Sequence, residues 1–109
     1  MLQRAEAVTS RTLAELPGPV RELLKTVPIH MERFPDRADE ESGIDPDTLG
    51  FCEENCGGIV RIRLWLENIL EYSGNRPRDF DEEVRTTLLH EIGHVLGWDE
   101  EEVEDRGLG

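Results

Sequence analysis

The spacing of two histidines constrains this chain more than any other feature in it. His90-Glu91-Ile92-Gly93-His94 is H-E-x-x-H within a stretch of helical periodicity. Residues four apart on an α-helix differ by about 40° in direction, so both imidazoles leave one face and can reach one metal ion. Glu91 sits next to that face, where a carboxylate can take a proton from metal-activated water. On a helical wheel with His90 at zero, Val84, Leu88, Ile92, Val95 and Leu96 spread across the opposite side. The apolar stripe therefore faces a core, and the histidines point away from it. The motif names a reaction class, metal-assisted hydrolysis of a peptide bond.

The pattern continues past the second histidine. Gly97 can take the left-handed conformation that ends a helix and turns the chain back. The residue three further on, Glu100, can then return to the metal as a third ligand. That spacing is the metzincin one, with a carboxylate where metzincins place a third His. Asp99 is the competing carboxylate. The expected site is thus one zinc per chain held by His90, His94 and Glu100 or Asp99, with Glu91 as general base. The third histidine, His30, reads first as an ordinary packed or solvated residue, although a first strand could bring it towards the site.

Length and charge narrow the rest. At 109 residues the chain is expected to form a single domain spanning 1–109. A net charge of −13 argues against nucleic acid and against anionic membrane surfaces as partners, because both need clustered cations. No apolar run approaches a membrane span, and the segment Met1 to Glu6 has no apolar secretory core, so a cytoplasmic location is expected. Oligomeric state has no signature in the sequence. Cys52 and Cys56 read as two reduced thiols in a turn, with a local disulfide as the second reading. A structural zinc on them would need two more ligands, and only His30 is spare.

Along the chain, Gln3 to Leu16 reads as a helix stopped by Pro17-Gly18-Pro19. Val20 to Lys25 reads as a short helical turn, and Val27 to Phe34 as a strand. Asp36 to Asp47 is acidic and poor in apolar residues, and reads as a mobile loop. Thr48 to Cys52 is a short strand, Glu53 to Gly58 has hairpin-turn composition, and Ile59 to Leu66 is the clearest strand. Glu67 to Tyr72 reads as a helical turn. Asp79, with Glu82 three residues on, offers a capping box for the motif helix, which runs to about Leu96. Glu100 to Asp105 is expected to add a final turn. The fold class is α+β: an N-terminal helix, a small mixed sheet, then the H-E-x-x-H helix packed on that sheet.

These residues resemble the minimal bacterial zincin-like metallopeptidases, whose motif is H-E-x-x-H-x-x-G-x-x-D. The resemblance runs through Leu16-Pro17, Val20 and Leu24, then Val27-Pro28-Ile29-His30-Met31-Glu32. It continues through Leu49-Gly50-Phe51 and Ile62-Arg63-Leu64-Trp65-Leu66-Glu67-Asn68-Ile69, and ends in Thr87-Leu88-Leu89-His90-Glu91-Ile92-Gly93-His94. One departure is that Glu100 stands where the family has Asp. The resemblance implies a zincin-like fold, a zinc cofactor, and a peptide or unfolded-protein substrate paired with a sheet-edge strand above the helix. By resemblance and position, Ile59 to Leu66 is the candidate strand, with a wholly interior strand as the equal alternative. Two rivals to hydrolysis stand beside it: a peptide- or zinc-binding module without turnover, and a structural zinc that holds down the C-terminal tail.

Overall fold

The computed structural model describes residues 1–97 of the chain. Helix α1 (Leu2–Ala14) buries Ala5, Val8 and Thr12 at helical spacing and ends before Pro17. Helix α2 (Gly18–Leu24) begins with Pro19 in its first turn, where a missing N–H costs nothing. Strand β1 (Ile29–Glu32) follows, then helix α3 (Arg37–Glu41), strands β2 (Gly50–Asn55) and β3 (Gly58–Trp65), and helices α4 (Leu66–Tyr72) and α5 (Pro77–Val95). The class is α+β, as the periodicities indicate. Among the described residues, no helix is long and apolar enough to cross a membrane.

The three strands lie in the order β1-β3-β2, with β1 parallel and β2 antiparallel to β3. The clearest strand in the sequence is therefore the central one, and β2 takes a sheet edge. The turn expected at Glu53 to Gly58 is shorter than its composition suggests. β2 runs on to Asn55, with a register shift between Glu53 and Glu54. Cys52 therefore lies in a strand, and Cys56 in the tight turn after it. Four residues of extended chain separate their Cα atoms by roughly 13 Å, beyond the reach of a disulfide. Both thiols are free.

The sheet has two unlike faces. Ile62 and Leu64 of β3 are fully buried in one apolar cluster with Val84, Leu88 and Ile92 of α5, and Ile29 and Met31 of β1 pack against it. The N-terminal half of α5 is backed by α1, with Arg4–Asp81 (2.6 Å) and Arg85–Glu15 (2.8 Å) ion pairs along the seam.

The opposite face centres on a buried cation. Arg63 is 6% exposed. Its guanidinium donates to both Glu32 oxygens (2.8 and 2.7 Å) and to both Asp39 oxygens (2.7 Å each). It also lies 4.9 Å from the Trp65 ring centroid. Asp39 belongs to α3, whose start is closed by a reciprocal box. The Asp39 amide donates to Asp36 Oδ1 (2.8 Å), and the Asp36 amide donates to Asp39 Oδ2 (3.0 Å). The segment expected as a mobile loop thus contains a capped helix anchored to the sheet by an ion pair. The box expected at Asp79 and Glu82 does not form. The N-cap of α5 is Arg76, three residues earlier, with Pro77 setting the first helical φ, and Asp79 pairs with Arg76 instead.

Hydrogen bonds from Arg63 pull the Asp39 carboxyl from its ordinary value down to about 2, and lower Glu32 in the same way. A carboxylate with a depressed folded-state pKa contributes stability above its unfolded pKa, and that stability is lost as pH falls through the folded value. For Asp39 the window runs from roughly pH 4 down to about 2. Asp39→Asn should lower stability at pH 7 by about 3–5 kcal/mol, because it leaves Arg63 partly unpaired. It should also flatten the acid limb of a urea-denaturation stability profile across that window.

Candidate metal centre

Helix α5 carries the H-E-x-x-H motif on its last two turns. Val84, Leu88 and Ile92 are fully buried on the sheet side of the helix, so His90 and His94 emerge half-buried on the other. Their ring centroids are 4.8 Å apart at 77°. Glu91 is only 7% exposed. The potential ligand atoms of His90, Glu91 and His94 all lie within 4.8 Å of one another. Two imidazoles with a carboxylate beside them, on one rigid helix, are a donor set that suits zinc. The residues present fit the metal that the motif implies.

Helix α5 gives way at Leu96, and Gly97 adopts φ +79°, with its amide donating to the His94 carbonyl (3.0 Å). That is the left-handed turn expected of this glycine, where a Cβ would be strained. Asp99 and Glu100, the two candidates for a third ligand, and Trp98 lie outside the described residues. His30 does not approach the pair. It shares the β1 face with Glu32, on the Arg63 side of the sheet, and is exposed.

A cleft of about 370 Å³ opens over the two histidines. Its walls come from α5, through Glu83, Thr86, Thr87, His90, Glu91 and His94, and from Leu49 and Gly50 at the start of β2. Gly50 sets the distance between these walls. A Cβ built on it would lie 2.6 Å from Thr87 Cγ2, 3.3 Å from Leu64 Cδ2 and 3.4 Å from the Arg63 carbonyl oxygen. Two residues on, Cys52 sits on the same side of β2. Burial pushes its thiol up to about 11, and the Glu91 and Glu54 carboxylates add to the shift. β2 therefore runs along α5 in the same sense, with Gly50 beside Thr87 and Cys52 within reach of the Glu91 charge.

His90, Glu91 and His94 are legible in the sequence as site residues, whereas the rest of the cleft is not. The α5 portion had a signal. Glu83 and Thr87 stand seven and three residues before His90, on the same helical stripe. The β2 portion had none, because alternation within a strand does not say which strand takes the edge.

Residues 24–108 match the family described as zincin-like metallopeptidase, a span that includes the whole of the motif. No curated protein matches the sequence.

The tight approach at Gly50 gives a direct test. Gly50→Ala should cost about 1–3 kcal/mol in stability through overpacking against Thr87. Thr87→Ser removes the clashing methyl while keeping the hydroxyl, so it should restore part of that loss in the double variant. A double-mutant cycle by chemical denaturation reads the coupling, and additive losses would show that the contact is not the cause.

Proposed function

Because the chain belongs to the zincin-like metallopeptidase family, we propose that it is a zinc-dependent peptidase in which His90 and His94 hold one zinc ion and Glu91 is the general base. The observation that carries the reading is the convergence of His90, Glu91 and His94, with ligand atoms within 4.8 Å of one another, on the floor of an open cleft. Glu100 is proposed as the third ligand, with Asp99 the alternative, because three residues after the left-handed Gly97 is the return spacing of a metzincin turn.

When bound, zinc supplies Lewis acidity, which makes water acidic near neutral pH and polarises a carbonyl group. The protein's own groups do the remainder. Neutral imidazoles of His90 and His94 bind through ring nitrogen and are held in place by the buried side of α5. Glu91 accepts the proton of the attacking water at a carboxylate oxygen, and later delivers it to the amine that leaves. Among the described residues β2 is an edge strand, and its outer backbone N–H and C=O groups would pair with an extended peptide or unfolded-protein segment. Of the two equal readings of Ile59 to Leu66, the interior strand is the one β3 adopts, so the substrate strand proposed is β2.

Purified protein should carry one zinc by elemental analysis, and the His90→Ala/His94→Ala double variant should carry none. Glu91→Gln should keep its zinc and lose about 10²- to 10⁴-fold in peptidase rate. Among the carboxylates, Glu100→Ala should weaken zinc binding far more than Asp99→Ala. Cleavage of unstructured peptides by Glu91→Gln at the wild-type rate would rule out this mechanism. Zinc binding with no turnover by wild type would favour a binding module.

A further inference from the structure

The cleft holds a charge that hydrolysis does not need. Glu83 lines it together with His90, Glu91 and His94, two helical turns nearer the start of α5. It is half-buried, and its Oε1 accepts a hydrogen bond from Thr87 Oγ1 at 3.0 Å. Thr87 is itself buried between α5 and Gly50 of β2, so this contact ties the carboxylate to the cleft wall. Among the described residues no Lys or Arg lines the cleft, and none of their ion pairs involves Glu83. The neighbouring depression of about 300 Å³ shares Leu49 and is lined by Asp47 and Glu71, again with no cation among the described residues.

The direction of β2 fixes which part of a peptide Glu83 would meet. β2 runs alongside α5 in the same sense, from Gly50 beside Thr87 towards Cys52 and Glu91. A peptide that adds to the outer edge of β2 in the antiparallel sense, the commoner and slightly more stable pairing, runs the other way. Its N-terminal part lies towards His94 and its C-terminal part towards Glu83. Seven residues of helix separate Glu83 from His90, a rise of roughly 10 Å, which an extended peptide covers in about three residues.

We propose that Glu83 is a specificity-determining residue that selects a Lys or Arg side chain within the first three positions on the C-terminal side of the scissile bond. The substrate class is a basic segment of extended or unfolded polypeptide. The field of a chain with net charge −13 favours the approach of such segments. This inference rests on the peptidase reading, since it takes the scissile bond to sit over His90 and His94.

The test has two arms. In the first, the zinc-loaded full chain is incubated with a randomised peptide library, and the products are read by mass spectrometry. Lys and Arg should be enriched about fivefold in the three positions after the cleaved bond, the worth of one partly exposed ion pair. Glu83→Gln should erase that enrichment, and Glu83→Lys should replace it with Asp and Glu. Cleavage without basic enrichment, or enrichment that survives Glu83→Gln, overturns the proposal and leaves the peptidase reading intact. The second arm needs no turnover. Fluorescence anisotropy on zinc-loaded Glu91→Gln protein compares Lys-bearing and Glu-bearing versions of one labelled unstructured peptide. A preference for the Lys version that disappears on adding Glu83→Gln supports Glu83 as the group that recognises the basic side chain, and the cleavage positions of the first arm place that side chain relative to the scissile bond. Equal binding of both versions, or binding of neither, overturns it.

Discussion

The contact between Gly50 and Thr87 is the constraint on which the site depends. A strand and a helix pack with side chains between them, and here one side chain is missing. The space a Cβ would need is taken by a threonine methyl 2.6 Å away. The start of β2 can therefore lie close against the motif helix, with its backbone bordering the cleft over the histidines. A larger residue at position 50 would lift the strand from the helix and part the two walls. The family motif fixes the chemistry on α5, whereas this single glycine fixes how near a strand edge comes to it.

The two faces of the sheet solve different problems. The α5 face is apolar and gains its stability from burial of Ile62, Leu64, Val84, Leu88 and Ile92. Among the described residues the other face has no long helix to cover it, only five-residue α3 and the side chains of Arg63 and Trp65. A helix so short buries little and would not hold by propensity alone. It is held by a reciprocal cap at its start and by four charge-assisted hydrogen bonds on Arg63 shared between Glu32 and Asp39. β1, β3 and α3 are thereby tied at one guanidinium, on the side of the sheet away from the metal centre.

Most of the architecture was legible in the sequence, because amphipathic period reports directly on burial. Val84 to Leu96 announced α5, and Ile59 to Leu66 announced β3 to within a residue. The motif histidines and Glu91 were legible for the same reason, since i and i+4 must share a face. What escaped depends on contacts between distant segments. α3 hides in an acidic stretch, and its stability comes from Arg63, some two dozen residues downstream. Strand order is not written in alternation, so the choice of β2 over β3 as the edge followed only from pairing. His30 shows the same limit: its placement on the Arg63 face is a matter of register with β3, which no local pattern reveals.

An edge left open for a peptide is open to any other extended chain, including a second copy of this one. β2 treats its two ends differently. Near Gly50 it is flat, small and pressed against the cleft wall. Near Asn55 the register shifts between Glu53 and Glu54, which kinks the ladder and sets two acidic side chains along it. Glu53 is paired with Arg61 at 2.7 Å, and two copies that zipped edge to edge would do so across this irregular ladder on chains that already repel. The end of the strand that frames the cleft is thus receptive, while the other end, with its irregular register and acidic side chains, disfavours edge-to-edge pairing of two copies.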